Sequence, residues 1–140
     1  MPYPMQELAG KTLAVVGYGS IGKKVAAIGA AFGMRLCIAT RTQLQNCPYP
    51  LVSLDEAFRQ ADILTLHTPL TEQTAGMVNA RRLSTMKPSA LLVNTARGGL
   101  IVESDLAQAL QKGVIAGAAL DVLTEEPWEI RRCSGWKTAR

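Results

Sequence analysis

The sequence is poor in the residue types that build metal centres and disulfide frameworks. His67 is its only histidine, and its three cysteines, Cys37, Cys47 and Cys133, are widely spaced and odd in number. Without a cluster of such ligands we expect no metal site. Unpaired, scattered cysteines are typical of a reduced cytoplasmic protein rather than of a disulfide-bonded secreted one.

Long apolar runs and strong charge are also missing. No run reaches the ~20 apolar residues of a membrane-spanning helix, and the first residues lack the basic-then-apolar layout of a signal peptide. Of the 140 residues, 48% are hydrophobic and 19% charged, which excludes a disordered tail protein and predicts one domain with a real core. We therefore expect no membrane partner.

The net charge of +4 is concentrated at one end of the chain. Residues 128–140 hold four basic side chains and one acidic one, or +3, so residues 1–127 carry only the remaining +1. A nucleic-acid-binding surface needs basic residues spread along one face of the fold. We therefore expect no nucleic-acid partner.

Strand-like and helix-like stretches alternate along residues 11–122. Short apolar runs predict strands, and apolar residues at helical spacing predict helices between them. This alternation predicts an α/β fold, a Rossmann-type doubly wound parallel sheet with helices on both faces. The predicted strands are 11–16, 35–39, 62–66, 90–94 and one within 114–122, and the predicted helices are 20–32, 54–59, 79–86 and 103–112.

The first strand is followed by the glycine pattern GYGSIG at residues 17–22. Gly17 permits a tight turn, Gly19 lets a diphosphate approach the backbone, and Gly22 lets the following helix pack closely on the sheet. Such a pattern alone is weak evidence, but here it lies between a predicted strand and a predicted helix, as the motif requires. We predict a dinucleotide cofactor, NAD or NADP; the alternative is a purely structural glycine turn.

The end of the second predicted strand departs from the NAD-binding pattern. An acidic residue is expected there to bind the adenosine ribose, but the chain has Thr40 and Arg41. Arg41 could pair with a ribose phosphate, which predicts a cofactor choice that is relaxed or tilted toward NADP. The alternative is a solvated loop arginine.

Four ordered stretches give the chain a family resemblance. From about residue 7 to residue 127 it resembles the nucleotide-binding domain of the D-isomer-specific 2-hydroxyacid dehydrogenases, with a pattern closest to glycerate dehydrogenase and hydroxypyruvate reductase. The resemblance implies an oxidoreductase that interconverts a D-2-hydroxy acid and its 2-keto acid. The stretches are LAGKT at 8–12, DILTLHTPLT at 62–71, LVNTARGG at 92–99, and GAALDV at 117–122 followed by EEP at 125–127.

Two residues match the family's catalytic positions. Arg97 follows a strand end in a glycine-rich turn, and its planar guanidinium can hold a substrate carboxylate through two hydrogen bonds; the alternative is a surface arginine. The resemblance makes Glu126 the catalytic glutamate, which holds a histidine and raises its pKa. The alternative for Glu126 is a solvated acidic pair with Glu125.

The resemblance also implies a set of residues that line the cofactor. Asp121 matches the aspartate near the nicotinamide amide. For Thr68 and Asp121, a loop hydroxyl and a turn-forming residue are the alternatives. Beside Asp121 and the three glycines, the predicted cofactor-binding residues are Ser20, Ile21, Thr40, Arg41, Thr68, Thr95, Ala96 and Arg97.

The chain departs from the family after residue 127. We predict a dinucleotide-binding domain over residues 1–127 and an atypical basic tail over 128–140, with the family's substrate domain absent. The family's acid–base histidine follows the EEP motif, but no histidine follows it here, and His67 is read as structural. We therefore expect cofactor binding without independent turnover, and the resemblance implies a homodimer. The alternative function is a non-catalytic nucleotide-sensing interaction module of the same fold.

Overall fold

Five short apolar runs of the chain form one parallel sheet. The computed structural model describes residues 5–124, and the sheet order is β2-β1-β3-β4-β5. The order reverses between β1 and β3, which confirms the predicted doubly wound Rossmann-type sheet. The strands are β1 (Thr12–Val16), β2 (Arg35–Ala39), β3 (Ile63–Leu66), β4 (Leu91–Asn94) and β5 (Gly117–Leu120).

Helices pack on both faces of this sheet, because alternate strand residues point to opposite sides. Leu13, Val15 and Ile38 lie on one face and form a core with Ala26 of the first helix. Leu64 and Leu92 lie on the other face, with side chains of the remaining helices. No helix within residues 5–124 combines the length and apolar character needed to cross a bilayer. The helices are α1 (Ser20–Ala31), α2 (Leu54–Gln60), α3 (Ala80–Leu83) and α4 (Glu103–Gln111).

The third helix is shorter than predicted. The sequence pattern predicts a helix over residues 79–86, but α3 spans only four residues. Hydroxyl groups end it, because Ser84 Oγ donates to the Arg81 carbonyl at 2.6 Å and Thr85 Oγ1 donates to the Arg82 carbonyl at 2.7 Å. Side chains that bond nearby backbone carbonyls compete in this way with continued helix.

A sheet contact beyond β2 was not predicted. Leu51 forms an isolated parallel bridge with Ile38. The Ile38 N–H donates to the Pro50 carbonyl and the Val52 N–H donates to the Ile38 carbonyl, both at 2.9 Å. Pro48 and Pro50 precede this bridge, which suits an edge position, since proline has no N–H to donate to a ladder. Leu51 thus pairs with the outer side of β2, as a single-residue addition to the sheet.

The amino-terminal edge of the sheet is held by Asp62. Its carboxylate accepts a hydrogen bond from the Thr12 N–H at 2.8 Å and pairs with Lys87 Nζ at 3.1 Å. Burial raises the pKa of Asp62, but the Thr12 N–H and the Lys87 ammonium outweigh burial, so the pKa lies below its ordinary value. The charged form of Asp62 therefore stabilises the folded state and links β1, β3 and the start of β4.

We expect Asp62→Asn to lower the free energy of unfolding by about 1–2 kcal/mol, because one amide replaces a carboxylate that serves two donors. This loss of unfolding free energy reaches its full size above the ordinary carboxyl pKa of about 4. It disappears as the pH falls through the lowered pKa of Asp62 in the folded state. Urea unfolding between pH 3 and pH 7 measures it, with Glu72→Gln at an exposed loop position as the control. Equal stability of Asp62→Asn and wild type at pH 7 would contradict this assignment.

Candidate functional site

The candidate site lies at the carboxyl edge of the sheet, opposite Asp62. All five strands are parallel, so the segments that follow them meet at one edge. This arrangement places every predicted site residue that the structure describes along this edge, with Thr40 and Arg41 at one end of it and Asp121 at the other. Gly17, Gly19, Ser20, Ile21 and Gly22 follow β1, Thr40 and Arg41 follow β2, Thr68 follows β3, Thr95, Ala96 and Arg97 follow β4, and Asp121 follows β5.

The turn after β1 requires glycine at two positions. Gly17 has a φ of +92°, and a Cβ there would collide with the carbonyl group of His67 at the end of β3. A Cβ on Gly22 would collide with the Gly17 carbonyl oxygen. The first turn of α1 can therefore lie directly against the end of β1, at the point where the strand order reverses.

Gly19 differs from these two glycines because it faces open space. A Cβ built on it would meet nothing within 4 Å, and its φ is an ordinary −82°. Among the described residues no side chain caps α1, and its first intrahelical bond runs from the Lys23 N–H to the Gly19 carbonyl. The preceding amide groups, at Ser20, Ile21 and Gly22, form the positive end of the helix, which favours an anion such as a diphosphate.

A cleft of about 400 Å³ lies beside β2, and its lining comes from the end of β2 and the segment that follows it. Its volume falls in the range of small-molecule sites. Within the cleft, Thr40 Oγ1 accepts a hydrogen bond from the Thr42 N–H at 3.2 Å, and Arg41 is exposed. The lining residues are Ile38, Thr40, Arg41, Thr42, Gln43, Leu44, Gln45, Leu51 and Val52.

Tyr18 connects the glycine turn to the segment that follows β2, a contact that sequence reasoning missed. It packs with Leu44, Cys47 and Tyr49 against the α1-side core. Burial raises the pKa of Tyr18, and Cys47 raises it further by charge and by a hydrogen bond. The variable second position of the glycine pattern thus contacts Cys47 in the segment that follows β2. An aromatic residue there is the only signal that the sequence offered.

The segments after β4 and β5 form the other half of the site. Thr95 and Arg97 are exposed, and Arg97 Nη1 donates to the Ala96 carbonyl at 2.7 Å. The Asp121 N–H donates to the Asn94 carbonyl at 3.0 Å, which places Asp121 beside the turn that carries Arg97. The predicted substrate role of Arg97 and the nicotinamide role of Asp121 stay predictions. Glu126, the predicted catalytic glutamate, and the tail over 128–140 lie outside the described residues.

His67 has a local partner and a lowered basicity. Its Nε2 lies 2.8 Å from Thr65 Oγ1, and burial lowers the pKa of the ring. At neutral pH the imidazole is therefore mostly uncharged. This environment suits a residue that packs beside the glycine turn better than a proton donor.

The fold and the site together define a class of protein. The glycine turn, the open space at Gly19 and the cleft beside β2 fit the diphosphate and one nucleoside of a dinucleotide, because nothing within residues 5–124 comes within 4 Å of a Cβ built on Gly19. The chain is a Rossmann-type dinucleotide-binding domain.

Comparison with known families identifies the domain further. Residues 1–136 match the model of the D-isomer specific 2-hydroxyacid dehydrogenases, NAD binding domain, so the chain belongs to this family and corresponds to its NAD-binding domain. A glycerate dehydrogenase of Methylorubrum extorquens is 46% identical over 125 residues, which cover 89% of this chain and 38% of that relative. The chain thus spans about two fifths of the length of this relative and of a similar 2-hydroxyacid dehydrogenase of Haemophilus influenzae.

Solved structures of the family share the fold. The NAD-complexed D-isomer specific 2-hydroxyacid dehydrogenase of Lactobacillus delbrueckii ssp. bulgaricus is 36% identical, with a TM-score of 0.79 over 87% of this chain and 39% of that one. An acyclic imino acid reductase solved with NADPH and D-arginine is also 36% identical, with a TM-score of 0.85 over 89% of this chain and 40% of that one. Similar domains therefore bind either form of the cofactor.

We expect Gly19→Ala to separate cofactor binding from folding. The added methyl group enters the space that the diphosphate needs, so the Kd for NADH should rise at least about tenfold. The free energy of unfolding should fall by less than about 1 kcal/mol, since alanine is tolerated, though not favoured, before the first turn of a helix. Calorimetric titration and thermal unfolding measure the two effects.

Gly17→Ala is the contrasting variant, because its methyl group would collide with the protein itself. It should reduce both stability and NADH binding. Wild-type affinity in Gly19→Ala would contradict the assignment of the open space to the diphosphate.

Proposed function

We propose that this chain is the cofactor-binding part of an oxidoreductase that interconverts a D-2-hydroxy acid and its 2-keto acid, of the glycerate and hydroxypyruvate type. The observation that carries the proposal is the position of Arg97 at the same sheet edge as the glycine turn. A dinucleotide bound there supplies or accepts the hydride. The relatives named glycerate dehydrogenase and hydroxypyruvate reductase support this substrate class.

Arg97 is the proposed ligand of the substrate carboxylate. A guanidinium carries five N–H donors in a planar fork, which matches the two oxygens of a carboxylate. The bond from Nη1 to the Ala96 carbonyl orients this fork, while the side chain stays exposed at the sheet edge. Removing it should weaken recognition of a 2-keto acid in an active assembly.

The proton for the ketone oxygen requires a donor, and within residues 5–124 His67 is poorly suited to that role. His67 is the sequence's only histidine, its ring bonds Thr65, and burial favours its uncharged form. Glu126, whose proposed role is to hold a protonated histidine, lies outside the described residues. We therefore propose that the chain binds cofactor without turning over 2-keto acids by itself.

NADH and hydroxypyruvate mixed with this chain test the proposal. Calorimetry should show saturable binding of NADH, while absorbance at the NADH band should show no oxidation above the buffer rate. A rate that rises in proportion to protein concentration, and that Arg97→Ala removes, would contradict the proposed lack of turnover. Absence of NADH binding would contradict the function itself.

Arg41 carries the proposed choice of cofactor. It follows β2 on the wall of the cleft, where an acidic residue would bind the free ribose hydroxyls of NAD. An arginine there can instead pair with the phosphate of NADP. The NADPH complex of a similar reductase agrees with this reading, and the NAD complex of a similar dehydrogenase agrees with relaxed choice.

We expect Arg41→Ala to raise the Kd for NADPH about tenfold and the Kd for NADH by less than about twofold. Only NADPH carries a phosphate on the adenosine ribose, and this is the group that the guanidinium would bind. Arg59→Ala, an exposed change near the end of α2, is the matched control and should affect neither ligand. A wild-type chain that strongly prefers NADH would refute the proposed role of Arg41.

Two further proposals concern the assembly and the alternative function. Ile28 near the end of α1 and Phe32 directly after it are exposed apolar residues, with exposed fractions of 58% and 60%, which supports a homodimer. The single histidine of the sequence supports the second candidate, a non-catalytic nucleotide-sensing interaction module. A reduced cytoplasmic location stays a prediction from the cysteines.

A further inference from the structure

We propose that Asn94 is a positioning residue that fixes the nicotinamide end of the site. Asn94 is the last residue of β4 and is fully buried, although its side chain is polar. It lies directly before Thr95, Ala96 and Arg97. This inference rests on the proposed function, because it assigns Asn94 a role in placing the residues that would meet the nicotinamide and the substrate.

The side chain of Asn94 closes the turn that follows β4. Its Oδ1 accepts a hydrogen bond from the Ala96 N–H at 3.0 Å, and its Nδ2 donates to the Arg97 carbonyl at 2.9 Å. One planar amide therefore holds the turn at two points, and the backbone of Arg97 has a fixed position relative to the sheet. The exposed side chains of Thr95 and Arg97 project from this fixed turn.

The backbone of Asn94 fixes a second segment. Its carbonyl accepts a hydrogen bond from the Asp121 N–H at 3.0 Å, just after β5 ends. The two segments also pack against each other, because a Cβ on Gly98 would collide with the carbonyl group of Leu123. Asn94 thus ties the Arg97 turn and the Asp121 segment into one unit, as a preorganised binding site requires.

Asparagine is the residue that this geometry needs. The site requires one acceptor and one donor on the same short side chain. An ionised aspartate accepts at both oxygens and could not donate to the Arg97 carbonyl, and alanine could do neither. The side-chain amide therefore acts on the Ala96–Arg97 turn, while the Asp121 segment is held by the Asn94 backbone carbonyl.

The test compares two ligands that differ at the nicotinamide end. Calorimetry on this chain gives the Kd for NADH and for ADP-ribose, which lacks the nicotinamide, in wild type, Asn94→Ala and Asn94→Asp. In wild type NADH should bind more tightly than ADP-ribose. Both variants should raise the Kd for NADH about tenfold and change the Kd for ADP-ribose by less than about twofold.

Thr65→Val is the matched control, because it removes another buried polar group, on the neighbouring strand, without touching the turn. It should change the ratio of the two dissociation constants by less than about twofold. An equal loss of both ligands in the Asn94 variants would show a purely structural role and overturn the inference, as would no loss of either. Equal affinity of wild type for NADH and ADP-ribose would also overturn it.

A measurement on wild type alone keeps the inference testable if the variants do not fold. Hydrogen exchange at the Ala96 and Asp121 amides should slow further when NADH binds, and should not respond to ADP-ribose. Unchanged exchange with NADH at both amides would overturn the inference. Failure of wild type to bind either ligand would instead contradict the proposed function, so the two failures are distinguishable.

Discussion

The contact between Gly17 and the backbone of His67 is the constraint on which the site depends. It brings the end of β1 against the end of β3, at the point where the strand order of the sheet reverses. No residue with a side chain could occupy position 17 without moving one of the two strands. The close approach lets α1 begin at the sheet edge with its amide groups facing open space, which is the property that an anionic diphosphate requires.

The amino edge of the sheet contributes to stability, and the carboxyl edge forms the candidate site. Asp62 and its partners hold the amino edge, where stability can be built without affecting a ligand. The carboxyl edge carries glycines, exposed polar groups and a cleft, which contribute little to stability but leave room for a cofactor. Asn94 contributes to both the sheet and the site, because its backbone belongs to β4 and its side chain holds the turn that carries Arg97.

The sequence was sufficient for the features that depend on local pattern. Apolar runs and the glycines that end them predicted all five strands, the order of the helices and the glycine turn. The family resemblance is confirmed as well. The pattern failed where contacts distant in sequence decide the outcome. The bridge at Leu51 depends on Ile38, the position of Tyr18 depends on Cys47, and the Asn94 carbonyl binds the Asp121 N–H. The shortened α3 is a local failure, caused by hydroxyl groups that bond carbonyls of the preceding turn.

The central claim is that the amide groups at the start of α1 bind a dinucleotide diphosphate. Titration of the isotopically labelled chain with NADH, followed by amide resonances in solution, tests it most directly. The account predicts saturable shifts that are largest at Gly19, Ser20, Ile21 and Gly22. Saturable shifts confined to other parts of the molecule, or no shift at millimolar NADH, would contradict it.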